Sequence, residues 1–216
     1  MTLDSTWVRA WIERTAEVVT AERHALSELD RQIGDGDHGE NLARGFAAVR
    51  ERMTELPDDA PPAVVVRLVA TTLISTVGGA AGPLLGTAYL KAAAALGEAR
   101  ELDSDSVVSL LTAARDGIVL RGKADSGDKT MVDAWTPAVE AATESAGAGA
   151  DPAAVLRSAA DAAALGAAST EPLVARKGRA SYLGDRAVGH RDPGAQSSSL
   201  IITAAADTAA ESTKES

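Results

Sequence analysis

With 216 residues and a formal net charge of −10, the chain has the length of one domain with a sizeable core and lacks the basic face of a general nucleic-acid binder. Hydrophobic residues make up 45% but aromatics only 3%, so the core must be Ala, Val and Leu in closely packed helices. Cysteine is absent, which excludes disulfides and thiolate metal sites and fits a reducing cytoplasm; Met1-Thr2-Leu3-Asp4 lacks a signal-peptide pattern, and no apolar run reaches the ~18 residues of a membrane span.

The first predicted helix covers 4–30, where Val8, Trp11, Ile12, Thr15, Val19, Leu26 and Leu29 recur at helical spacing. At its end three carboxylates, Asp30, Asp35 and Asp37, alternate with Gly34, Gly36 and Gly39. Glycine permits positive φ and a tight reversal, so the carboxylates can converge on one point. Converged carboxylates raise one another's pKa unless a cation lies between them, and an all-oxygen set suits Mg²⁺. Three other readings compete. Gly34-x-Gly36-x-x-Gly39 spells a dinucleotide fingerprint, but a helix precedes it instead of a strand. Asp35-x-Asp37-x-Gly39 opens like an EF-hand loop, yet its twelfth position is Phe46. The third is a solvated acidic loop in which Asp37 caps the next helix.

Further helices are predicted over 38–55, 62–77, 82–99, 104–122, 130–147, 151–176 and 194–212, and strand alternation is almost absent. Val64-Val65-Val66 is the best strand candidate, but Leu68, Val69 and Leu73 continue a helical stripe. The tail from Glu211 to Ser216 is expected to fray. The seven connections fall into two chemical kinds. The second, fourth and sixth (56–61, 98–102, 145–151) are short and generic. The first, third, fifth and seventh carry the unusual residues: 34–39, 78–83, 122–130 and 177–194. Odd-numbered connections of an up-and-down bundle lie at one end, so these four loops should share a rim.

Their chemistry points one way. Gly78, Gly79 and Gly82 at a helix start offer free backbone N–H groups to an anion. Gly117 to Ala124 is a Walker-like pattern, rejected because Ala124 replaces the Mg²⁺-binding hydroxyl and half of it lies in a helix. Asp128 is placed to cap the sixth helix, and Met131 to pack on a flat base or in the core. The last connection, about eighteen residues without predicted structure, has the length of a functional loop. Its Arg176, Lys177, Arg179, Arg186 and Arg191 suit a phosphate clamp; a basic patch balancing the acidic body is the plainer reading. No nucleophile is evident. His24 lies inside the first helix, whereas His38 and His190 fall in rim loops and could bond phosphate. Phosphate, metal and a helix-end anion site together specify a Mg²⁺–nucleotide.

The motifs Leu29 to Asn41 with Arg44-Gly45-Phe46, Val77 to Pro83, Arg121 to Met131, and Ala175 to Gly184 with Gly189-His190 to Gly194 resemble the L subunit of dihydroxyacetone kinase, in order and with similar spacing from about residue 7 to 205. The resemblance implies one L-type domain over 1–216: an all-α closed up-and-down barrel of eight antiparallel amphipathic helices with the nucleotide at one rim. It implies Asp30, Asp35 and Asp37 as ligands of Mg²⁺, expected as two ions. It further implies His38, Gly39, Glu40, Asn41, Gly79 and Ala80 on the phosphate side and Gly122 and Met131 at the base or ribose. Arg179, with Asp192, Pro193 and Gly194, is implied to close the site, Arg179 in the catalytic role. Ala81 departs from the family's usual Ser or Thr and removes a phosphate-side hydroxyl.

As a lone L-like chain, it resembles the branch with separate subunits. There, ADP on L accepts phosphate from a phosphohistidine M subunit of the phosphotransferase system and passes it to dihydroxyacetone on the K subunit. The alternatives are an L subunit using exchangeable ATP on dihydroxyacetone or a related ketose, and a nucleotide-dependent regulatory module acting on a transcription factor. A cytoplasmic homodimer without nucleic-acid or membrane partners is expected.

Overall fold

A computed structural model describes residues 2–212. Nine α-helices are found among them: α1 (Ser5–Ala21), α2 (Arg23–Ile33), α3 (His38–Met53), α4 (Pro62–Thr76), α5 (Ala81–Leu96), α6 (Ser104–Gly122), α7 (Val132–Gly147), α8 (Pro152–Ser169) and α9 (Pro193–Ser212). A 3-10 segment, Arg179–Ala187, lies between α8 and α9. The only strand-like pairing among the described residues is an isolated antiparallel bridge between Leu3 and Leu102. Val64 to Val66 are helical, as their continuing stripe requires.

The predicted first helix is two. It bends at Glu22 (φ −88°, ψ 3°), and hydrogen bonds on both sides of Glu22 carry the chain through the bend. α1 stays in the barrel wall, while α2 runs on to Ile33 and reaches the 3-10 segment. The seventh predicted helix, 151–176, stops at Ser169, and the turn after it belongs to the site. At the other end, Glu211 and Ser212 complete α9 instead of fraying, with Glu211 paired to Arg14 at 3.1 Å; 213–216 lie outside the described residues.

Neighbouring helices in the chain pack side by side, and α9 returns against α1, so the ring closes. Closure depends on two tryptophans. Trp7 and Trp11 stack with ring centroids 5.5 Å apart. Their indole N–H groups donate to the carbonyls of Ala205 (3.1 Å) and Ile201 (2.9 Å) on α9. Each ring thus buries its apolar body and satisfies its one polar atom. Elsewhere alanine does the packing: Ala138 and Ala142 of α7, Ala159 and Ala163 of α8, and Ala205 and Ala209 of α9 are all buried. This explains how a chain so poor in aromatics closes a barrel.

Candidate nucleotide and metal site

The four unusual connections do meet at one rim, around a cavity of about 530 Å³, within the range of small-molecule sites. Its lining divides by chemistry. Asp30, Asp35, Asp37, His38, Asn41, Gly78 and Gly79 supply a polar side, and Pro83, Leu84, Ile118, Met131 and Val132 an apolar one. Arg179 comes from the 3-10 segment, and Asp192, Pro193 and Gly194 from the start of α9.

The carboxylates of Asp30, Asp35 and Asp37 each bring an oxygen within 4.8 Å of the others. Gly36 makes the reversal, at φ +79°. One Asp30 oxygen accepts the backbone N–H groups of Asp37 (2.9 Å) and His38 (3.2 Å), which fixes its orientation and leaves the other oxygen for a ligand. Burial raises the Asp30 pKa, those hydrogen bonds pull it down, and the Asp35 charge pushes it up again. Asp37 occupies the N-cap position of α3, yet its side chain makes no cap bond. The capping reading of this loop therefore fails, and the Asp37 carboxylate remains available. An all-oxygen, converged, partly uncommitted donor set fits a hard divalent cation. Across the cluster, Arg179 pairs with Asp35 at 2.8 Å, so the 3-10 segment lies over the carboxylates.

His38 is half-buried, with Nε2 2.9 Å from Ser197 Oγ on α9. Burial pulls its pKa down to about 4, against the Asp37 charge and the Pro193 carbonyl. It is neutral near pH 7, able to offer a hydrogen bond but no positive charge. Asp192 is the converse: burial pushes its carboxyl up to about 7, while the bond from the Ala195 N–H (2.7 Å) opposes this.

Of the residues expected around the nucleotide, His38, Asn41, Gly79, Ala80, Gly122, Met131, Arg179, Asp192, Pro193 and Gly194 line the cavity. Gly39 and Glu40 do not. Gly39 is pressed against α2, where a Cβ would stand 1.9 Å from the Arg23 carbonyl oxygen. The Glu40 side chain turns outward, 3.8 Å from Arg23. Both can face the cavity only through their backbone. His190 lies in a separate groove, with Nδ1 2.9 Å from Gln32 Oε1, and His24 is exposed on α2. Ala81 begins α5 at the cavity wall. Asp128, expected to cap the sixth predicted helix, instead accepts the Asp125 N–H at 2.9 Å. Asp133, in the first turn of α7, closes that loop by accepting the N–H groups of Gly127 (2.5 Å) and Thr130 (2.7 Å).

The last connection is the largest departure from expectation. It is ordered by the 3-10 segment, by a small core of Ile33, Ala175, Ala180 and Ala187 with Leu183 packed on it, and by Lys129. Sequence reading passed over Lys129 because a lysine in a polar loop looks solvated. Here it is 1% exposed.

The DAK2 domain profile matches residues 32–207. The chain belongs to the DAK2-domain family. Among its relatives is the ADP-binding subunit of the PEP-dependent dihydroxyacetone kinase of Escherichia coli K12, 41% identical over 91% of this chain and 93% of that one. The ADP-binding subunit of the PTS-dependent dihydroxyacetone kinase of Lactococcus lactis is 38% identical over 94% of this chain and 95% of that one. Among solved structures, the dihydroxyacetone kinase of C. freundii in complex with AMP-PNP and Mg²⁺ matches with a TM-score of 0.71 and 26% identity, over 96% of this chain. The DAK2 chain described here spans only 35% of that longer kinase. No helix among the described residues is long and apolar enough to cross a membrane.

Proposed function

We propose that this DAK2 chain is the nucleotide-binding L subunit of a phosphoenolpyruvate-dependent dihydroxyacetone kinase, a single L-type unit. In this reading a phosphoryl group passes from a phosphohistidine on the M subunit to the β-phosphate of ADP, and from there to a hydroxyl of dihydroxyacetone on the K subunit. The observation that carries it is one cavity with three converged carboxylates, two uncapped helix starts and an arginine paired across them. Relatives of the same length named as ADP-binding subunits support it.

Mg²⁺, when bound, would supply positive charge against the phosphate oxygens. Asp30, Asp35 and Asp37 are assigned as its ligands, for two ions. The starts of α3, through the Gly39 and Glu40 backbone with the His38 and Asn41 side chains, and of α5, through the Gly79 and Ala80 backbone, face the phosphates. Neutral His38, held by Ser197, adds a hydrogen bond without competing for the metal. Leu84, Ile118 and Met131, with Gly122, form the flat apolar slot for the base. Asp192, Pro193 and Gly194 close the far wall. Arg179, paired with Asp35 at the mouth of the cluster, is the guanidinium that would meet the moving phosphoryl group, whose transition state spreads charge over its oxygens.

The ligand test is to denature the purified protein and measure the mass and absorbance of what is released; adenine nucleotide with Mg²⁺ is expected, and their absence on reconstitution as well would refute the assignment. The activity test supplies K subunit and dihydroxyacetone with either phosphorylated M subunit or ATP. Turnover with ATP alone would select the second reading, an ATP-using ketose kinase subunit, which the AMP-PNP complex of the solved relative favours. Light scattering of the purified chain tests the proposed homodimer.

A further inference from the structure

Lys129 is a buried cation that the proposed chemistry does not use. Its ammonium is ringed by five backbone carbonyl oxygens: Thr170 (2.9 Å), Glu171 (3.3 Å), Leu173 (3.1 Å), Ala187 (2.8 Å) and His190 (2.5 Å). The first three lie in the turn that follows α8, the last two where the 3-10 segment ends and the chain heads for α9. These are the two feet of the loop that carries Arg179; the Arg191–Glu171 ion pair (2.7 Å) joins them from within the loop, whereas Lys129 reaches both from a separate element. We propose that Lys129 is the positioning residue of this loop, its ammonium stapling both feet together so that Arg179 is held over the carboxylate cluster; this rests on the reading of Arg179 as the residue that meets the transferred phosphoryl group.

Three further observations support the staple. Lys129 is in the left-handed region at φ +63°, where a side chain is strained and glycine is not. The chain uses glycine two residues earlier, at Gly127 with φ +89°, so the lysine side chain is being kept against a backbone preference. An ammonium has three N–H donors and no acceptor, which matches a ring made only of carbonyls; a neutral aliphatic side chain would take away the donor that the Leu173, Ala187 and His190 oxygens share. The adjoining backbone joins in, since Asp128 accepts the Arg176 N–H at 3.1 Å, Gly189 donates to Glu171 at 2.8 Å, and Asp192 N–H donates to Thr170 Oγ1 at 3.0 Å. Burial draws the Lys129 pKa below the ordinary lysine value, and Asp192 and Glu171 pull it back up. The barrel core is built without Lys129, so its loss should loosen the loop and spare the helices.

Lys129→Gly is the informative variant, because it removes the ammonium and the backbone strain together. Hydrogen exchange across 170–192 is expected to quicken about tenfold or more while α1 and α4 to α6 keep their protection. Transfer to dihydroxyacetone should fall about 100-fold or more, short of the loss from removing Arg179 itself, with Kd for Mg²⁺–ADP changed less than about tenfold. n-Propylammonium should restore both loop protection and rate, and tetramethylammonium, which has no N–H, neither. Unchanged loop exchange overturns the staple, and so does loss of protection through the whole barrel, which would make Lys129 a determinant of the fold. A loosened loop with wild-type transfer counts against Arg179's role and leaves the staple standing, so the two readings fail separately. Lys129→Met, which keeps the stem, is read the same way if the glycine variant does not fold.

Discussion

The two rims of the barrel treat their helix ends differently. At the plain rim, Asp4, Asp103 and Asp151 accept N–H groups at the starts of α1, α6 and α8, while α4 opens without a side-chain cap on Pro61-Pro62, where Pro62 brings no N–H of its own. Arg9 donates to the Met53 and Pro57 carbonyls and Ser104 to Ala150, closing the loops on themselves. At the opposite rim the N-cap residues of α3 and α5, Asp37 and Ala80, make no side-chain cap bond, and α7 and α9 are closed by Asp133 and Asp192. A helix end leaves four N–H groups without partners. At α3 Asp30 takes two of them, and at α5 Ala80 offers no side chain to take any; open N–H groups beside converged carboxylates and an arginine support the proposed Mg²⁺–nucleotide reading.

The sharpest way to break this contrast is at Arg179. Arg179→Ala should slow transfer to the K subunit's substrate by about 10³-fold or more, with nucleotide retention falling far less, and Arg179→Lys should recover only part because it lacks the two-pronged fork. Wild-type transfer by the alanine variant would move the clamp to Lys177 or Arg186. Next comes Asp35→Asn, which should weaken Mg²⁺-dependent ADP binding by about 100-fold, given that even the outer partners of metal ligands are worth 10–100-fold. Helical circular dichroism should persist; ADP titrations matching wild type would remove Asp35 from the ligand set.

Stability separates the rims as well. Mg²⁺–ADP at a thousandfold excess over Kd should stabilise the fold by about 4 kcal/mol, seen as a higher melting temperature than after EDTA treatment and nucleotide removal. At the plain rim, Asp151→Ala loses the cap bond to the Ala154 N–H (2.9 Å) and should cost about 1 kcal/mol without touching ADP affinity. A change in affinity there would contradict the division of labour. The smallest expected effect is a pH dependence. The Asp192 pKa, raised from 3.8 to about 7, means that folding favours its protonated form. That contribution is complete below pH 3.8 and is lost as pH rises through about 7. Asp192→Asn should therefore flatten the decline in ligand-free melting temperature over that interval.

Much of this was legible in the sequence because it is local. Helical periodicity marks the barrel wall, and the density of glycine and charge in alternate connections marks the functional rim, since both depend only on residues near one another along the chain. Asp30, Asp35 and Asp37 could be picked out for the same reason: eight residues with two glycines among them leave few ways to fold. Tertiary structure alone decided the rest. The bend at Glu22 carries no proline or glycine signal, and it turns Ile33 onto a small core with Ala175, Ala180 and Ala187, far along the chain. Whether Asp37 caps α3 or faces a ligand depends on Asp30 taking the neighbouring N–H groups first. Lys129 is the clearest case. Nothing near it in sequence tells a solvated lysine from a buried one, because its five carbonyl partners lie 41 to 61 residues away, and only a closed barrel brings them around one ammonium.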